Sequence, residues 1–106
     1  MKGMGGGGMQ ALMRQANQMQ NKMKKLQEDF QAREFEGTSG GGAVKVVALG
    51  NYQLKSVEIN PDAMDDQEML QDLILTATNE VMKTVKTTYE QEMSKVTGGF
   101  SMPGMF

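Results

Sequence analysis

Residues 40–61 read GGGAVKVVALGNYQLKSVEINP, and this stretch decides the fold. Two runs that suit β-strands, 43–49 and 52–59, flank the pair Gly50-Asn51. That pair matches a two-residue type II′ hairpin turn in which glycine supplies the positive φ at the first central position. Val44, Val46 and Ala48 alternate with Lys45, Val47 and Leu49. Apolar residues occupy both faces from Val46 to Leu49, so this strand is expected to be covered in part on two sides. A central place in a three-stranded antiparallel sheet satisfies that requirement. In the strand that follows, Lys55, Val57 and Ile59 fall on one face and Leu54, Ser56 and Glu58 on the other.

Upstream of the hairpin, Arg33-Glu34-Phe35-Glu36-Gly37-Thr38 supplies the first strand, with Phe35 facing inward, and Gly40-Gly41-Gly42 gives a flexible or tightly turned link. Further upstream, Met9, Leu12, Ala16, Met19, Met23, Leu26 and Phe30 recur at alternating spacings of three and four, an a/d heptad pattern. A helix over that span is roughly 33 Å long at about 1.5 Å per residue. One small sheet cannot cover so long a stripe, and something else must pack on it. In this register Arg14, Lys24 and Lys25 lie away from the seam and Lys22 flanks it.

Downstream, Asn60-Pro61 ends the sheet, because proline lacks the ladder N–H and drives its predecessor to an extended conformation. Asp65-x-x-Glu68 reads as a capping box that opens a second helix, with Asp65, Asp66 and Glu68 at the positive end of its dipole. Its stripe is Leu70, Leu73 or Ile74, Ala77, Val81, Val85, Tyr89, Met93 and Val96. The step of nearly four residues departs from a strict heptad, so regular left-handed coiled-coil packing is not expected throughout. Gly98-Gly99 stops this helix. The chain therefore divides into a flexible glycine-rich arm over 1–8, one domain over 9–97 and a flexible or partner-docked tail over 98–106.

Composition narrows the chemistry. The 106 residues include no cysteine and no histidine, which removes disulfides, thiol nucleophiles and thiolate metal sites together with the commonest general base. An enzyme is disfavoured, and no cofactor is implied. A domain this small buries a modest share of its surface, which favours oligomerisation. The opening MKGMGGGGMQ lacks the continuous apolar stretch of a signal peptide, and no run reaches membrane-spanning length, so the protein is read as cytoplasmic. Gly5 to Gly8 lacks the Gly-Lys-Ser/Thr continuation of a phosphate loop, and Asp62, Asp65, Asp66 and Glu68 lack the spacing of a calcium loop. The methionines suit interface packing better than copper.

The net charge of −2 hides a segregation. Residues 1–27 contain Lys2, Arg14, Lys22, Lys24 and Lys25 and no acid, whereas acids dominate residues 28–72. A polyanion is drawn to the first helix and repelled by the middle of the chain. Arg14, Lys22, Lys24 and Lys25, with Lys83, Lys86 and Lys95 on the second helix, are the candidate contacts to DNA phosphates. No base-reading motif is present. The aromatics, Phe30, Phe35, Tyr52, Tyr89, Phe100 and Phe106, form no evident stacking platform.

Read in order, the opening helix MRQANQMQNKMKKLQEDF, the hairpin GGGAVKVVALGNYQLKSVEINP, the helix start DDQEMLQDLILTATNEV and the tail GGFSMPGMF resemble the YbaB/EbfC family of small bacterial nucleoid-associated proteins. The resemblance implies an α+β, α-β-β-β-α protomer with two long helices and a three-stranded antiparallel sheet, assembled into a tweezers-like homodimer with projecting helical arms. It also implies non-catalytic binding of double-stranded DNA in the nucleoid, a role in nucleoid organisation or gene regulation, and no membrane or small-molecule substrate. Recombination-repair proteins would be a further class of partner. In that architecture Arg14, Lys22, Lys86 and Lys95 lie along the arms. The rival reading is a protein-interaction adaptor that grips its partner with methionine-rich helices.

Overall fold

In the computed structural model, residues 2–98 are described, with side chains from 8 to 97. Helix α1 (Lys2–Ala32) leads into strands β1 (Glu34–Ser39), β2 (Val44–Leu49) and β3 (Leu54–Ile59). A 3-10 turn (Pro61–Asp65) then joins the sheet to helix α2 (Gln67–Gly98). The strands form one antiparallel sheet in the order β1-β2-β3. This is the α-β-β-β-α order and the central β2 that the apolar pattern requires. Helix α1 starts at Lys2 rather than Met9. Of the expected tail, residues 99–106 lie outside the described residues.

One face of the sheet carries Phe35, Val44, Val46 and Ala48, all buried beneath Ala77, Val81 and Val85 of α2. These helix residues recur every four positions, the spacing read from the sequence. The approach of helix to sheet is close enough to dictate a glycine. A Cβ on Gly37 of β1 would stand 2.9 Å from both the Cβ and the backbone nitrogen of Val81. The buried Ser39 hydroxyl at the end of β1 donates to the Leu73 carbonyl at 2.6 Å, so no polar cost is left in the core. Three successive positive-φ glycines, Gly40, Gly41 and Gly42, make the β1–β2 link a tight turn.

The hairpin differs from a two-residue turn. Gly50 is not in the positive-φ region, whereas Tyr52 is, at φ 68°. Tyr52 N–H donates to the Leu49 carbonyl at 2.9 Å and Leu49 N–H to the Gln53 carbonyl at 2.8 Å. The loop is therefore Gly50-Asn51-Tyr52, a three-residue loop closed by a left-handed residue. Glycine is required at position 50 for space instead of φ, because the chain there lies against the backbone oxygen and ring of Phe30. A register shift between Val47 and Ala48 pairs Val47 with Ser56 and Ala48 with Leu54. The bulge turns Lys55 to the outer face, where it pairs with Glu34 at 2.6 Å, and returns Leu54 to the face of Val57 and Ile59. Strict alternation fails at this one point.

Helix α2 is capped one residue later than expected. The side chain of Asp66, not Asp65, accepts from Met69 N–H at 3.1 Å. The displacement follows from Asn60, whose side chain accepts from Asp62 N–H at 3.0 Å and starts the 3-10 turn that occupies residues 61–65.

Helix α1 meets the body at its C-terminal end. Phe30 is buried, with ring centroids 5.2 Å from Phe35 and 5.2 Å from Tyr89. From this joint α1 runs back toward its N-terminus in the direction in which α2 runs forward to Gly98. Burial of the apolar seam fades outward, from buried Phe30 through half-buried Leu26, Met23 and Met19 to Leu12 and Met9, 65% and 64% exposed. The molecule measures 78 × 26 × 15 Å, with a radius of gyration of 21.3 Å, against about 13 Å for a compact chain of this length.

Gly50→Ala should place a methyl against the Phe30 backbone and cost about 3 kcal/mol in urea unfolding. Gly41→Ala meets nothing and should cost about 1 kcal/mol, through its φ alone. Phe30→Ala should cost about 4 kcal/mol, and amide hydrogen exchange should rise along α1 before it rises in β2.

Candidate nucleic-acid interface

Arg14, Lys22, Lys24 and Lys25 are all exposed on α1. At about 100° per residue, Arg14 and Lys25 fall on nearly the same line, with Gln18 and Asn21 between them and Lys22 beside them. The line of Arg14 and Lys25 faces away from the apolar seam, and Lys22 lies between that line and the seam. Lys24 lies on the other flank of the helix. The N-terminal part of α1 therefore presents cations and amides on its outer surface and apolar side chains on the opposite one.

The candidates on α2 are dispersed. Tyr89 lies against Phe30, and the nine residues beyond it add about 14 Å of helix. That carries the last turn of α2 level with Asn21 of α1. Lys95 lies on this projecting end, where its Nζ pairs with Glu92 at 3.4 Å. Lys86 lies one turn before Tyr89, at the root of the arm. Lys83 sits on the exposed side of α2 beside Glu80, Thr84, Thr87 and Thr88. The fold does not bring the seven candidates onto a single face. It sets Arg14 and Lys25 on one line of α1 with Lys22 and Lys24 about 80° to either side, and places Lys83, Lys86 and Lys95 on α2.

The lysines of the sheet are engaged elsewhere. Lys45 reaches Glu36 at 3.5 Å and Glu58 at 3.7 Å, and Lys55 reaches Glu34. These pairs are half exposed, and each is worth about 0.5 kcal/mol or less. Their effect on the field is larger, since they neutralise acids across the outer sheet face.

Sequence reasoning did not find the cleft at the root of the arm, a space of about 400 Å³ lined by Gln27, Phe30, Gln31, Gly50, Asn51, Tyr52 and Tyr89. Gln27 Nε2 donates to the Tyr89 hydroxyl at 3.3 Å. The Asn51 side-chain oxygen accepts from Gln53 N–H at 3.0 Å. Tyr52, at its rim, is 52% exposed. The lining comes from α1, the hairpin loop and α2, so no local motif announces it. No group of three or more acidic, histidine or cysteine side chains is placed to hold a metal ion among the described residues. No described helix is long and apolar enough to cross a membrane.

A family model described as the YbaB/EbfC DNA-binding family matches residues 4–100. A nucleoid-associated protein of Pelotomaculum thermopropionicum is 49% identical over 103 residues, covering 95% of this chain and 98% of that protein. A nucleoid-associated protein of Clostridium novyi is 50% identical, covering 98% of this chain and 94% of its own length. Among solved structures, an uncharacterized Helicobacter pylori protein superposes with a TM-score of 0.64 at 25% identity, covering 76% of this chain and 86% of that one. It shares the fold. Matched by the family model along almost its whole length, this chain belongs to the YbaB/EbfC DNA-binding family.

Proposed function

We propose that this protein is a nucleoid-associated, non-catalytic binder of double-stranded DNA. It works as a homodimer whose helical arms contact phosphates, in the service of nucleoid organisation or gene regulation in the cytoplasm. The observation that carries the reading is the line of Arg14 and Lys25, flanked by Lys22 and Lys24, on a projecting helix that has no acid before Glu28. Phosphate contacts require cations on a surface that a duplex can reach, and the outer face of α1 meets both conditions. The names of the relatives point the same way.

The homodimer is supported by apolar surface that one protomer leaves open. Leu54 and Val57 lie on the covered face of the sheet but at the β3 edge, beyond the reach of α2, and are 47% and 43% exposed. Leu75 on α2 is 60% exposed. The uncovered seam at Met9 and Leu12 adds to this, and a second copy offers a self-complementary apolar partner.

Fluorescence anisotropy with an unrelated duplex, titrated across salt beside light scattering, tests the reading. The dimer should bind with an affinity that falls steeply as salt rises. Replacing Arg14, Lys22 and Lys25 with alanine should weaken binding at least about tenfold and flatten the log–log salt slope by about 0.9 for each phosphate no longer neutralised. Lys45→Ala on the sheet should leave both unchanged. A triple variant that binds like the wild type would reject the role given to the arms. A dimer that binds no DNA even at low salt would reject DNA binding itself. In that case the exposed Met9, Leu12 and Met13 favour the protein-interaction adaptor.

A further inference from the structure

We propose that the cleft at the root of the arm, with Tyr52 at its rim, receives a nucleobase that has swung out of the stack of the bound DNA. This rests on the DNA-binding reading above and adds to it a site where bases rather than phosphates are touched.

The first observation is Tyr52 itself. The third position of a loop closed by a left-handed residue suits glycine or asparagine, and here it holds a tyrosine at φ 68°. Burial does not account for the choice, because the side chain is 52% exposed. Its hydroxyl has no hydrogen-bond partner among the described residues. Backbone strain at an exposed aromatic residue is a mark of sites that meet a ligand.

The second observation is the chemistry of the cleft. A nucleobase needs a flat apolar surface and a few donors and acceptors at its edge. The cleft offers the rings of Tyr52 and Tyr89 and the amides of Gln27, Gln31 and Asn51, with no carboxylate in its lining. Gln27 already donates to Tyr89 and Asn51 already accepts from Gln53. The Tyr89 proton, the Asn51 amide hydrogens and the whole Gln31 amide remain free to meet a base edge. A volume of about 400 Å³ falls within the range of small-ligand sites.

The third observation is continuity with the arm. Gln31, Gln27, Lys24, Gln20 and Asn17 follow one another at spacings of four, three, four and three, which sets them in one row along α1. The row runs from the cleft toward the tip, beside the apolar seam, and contains amides and one lysine but no acid. Amide side chains pair with base edges and with groove acceptors. A duplex held along α1 would be guided by this row to Tyr52.

Tyr52→Gly and Tyr52→Phe test the site in the full-length protein, with the same anisotropy assay and light scattering. Glycine suits the loop better than tyrosine, so the Gly variant should melt at the wild-type temperature or above and remain the same oligomer. Its DNA affinity should fall about tenfold while its salt slope stays unchanged, because every cation that meets a phosphate is still in place. The Phe variant should bind like the wild type, and Gln31→Ala should bind severalfold more weakly at unchanged slope. Wild-type affinity in the Gly variant overturns the base site while leaving the phosphate reading intact. A fall in affinity accompanied by a change in mass also overturns it, since Tyr52 would then join two copies. Absence of DNA binding by the wild type overturns both readings together.

Discussion

The packing of Phe30 on the backbone at Gly50 holds the architecture together, because it is the point at which a helix of 31 residues is fixed to a sheet of six-residue strands. Gly50 N–H donates to the Arg33 carbonyl at 2.9 Å and Arg33 N–H to the Phe30 carbonyl at 3.0 Å, so the chain leaving α1 is tied to the tip of the hairpin. Phe35 and Tyr89 close around the same ring. The direction of the arm is set here and nowhere else on the body. Beyond the joint, among the described residues, the partial burial of Leu26, Met23 and Met19 against the end of α2 and the hydrogen bond from Gln27 to Tyr89 support it. A glycine-containing helix that projects alone is marginal in water. Its exposed methionines and leucine are apolar surface that the homodimer proposed above would cover.

The same geometry reconciles an acidic chain with a polyanionic ligand. The net charge of −2 and a sequence pI near 5.1 describe an average that no point on the surface experiences. Glu34, Glu36 and Glu58 share the outer sheet face with Lys45 and Lys55, which compensate most of their charge at short range. Asp62, Asp65, Asp66 and Glu68 gather at the start of α2, where Asp66 serves as its cap. From there to Tyr89 is roughly 35 Å of helix, and Arg14 lies further out still. Charges act over about 8 Å at physiological salt. A phosphate beside Arg14 is thus shielded from the acids that dominate the composition, whereas Lys25 has Glu28 and Asp29 within one turn of helix.

Much of this is legible in the sequence, for reasons that also mark where legibility ends. The period of nearly four in Ala77, Val81 and Val85 and the alternation of Val44, Val46 and Ala48 report burial directly, and both elements lie where these patterns put them. Gly50 is not legible in the same way. A glycine needed for positive φ and one needed for space against a residue twenty positions earlier look identical in sequence. The pattern consequently points to Gly50-Asn51 as the turn and gives the left-handed conformation to the wrong residue. Lys55 changes faces because a bulge shifts pairing without leaving a mark in the alternation. The basic residues of α1 can be placed around its axis from the register, but how Lys83, Lys86 and Lys95 of α2 stand relative to them cannot. The cleft cannot be read at all, since three separate elements build it.

Placement of the cleft bears on how affinity and selectivity divide within one small molecule. Contacts to phosphates position a duplex and carry little sequence information, whereas contacts to bases specify. The outer stripe of α1 is limited to charge and amides, and nothing along it has an aromatic surface. At the root, three elements converge to enclose a space with aromatic walls and polar groups. A projecting helix fixed at one end moves least near its attachment, so geometry demanding enough to distinguish one base from another belongs at the root. The tip can tolerate motion, because a phosphate contact depends on charge far more than on angle. The length of α1 and the packing of Phe30 would then be complementary, the one extending electrostatic reach and the other setting the proposed base contact beside the attachment of the arm.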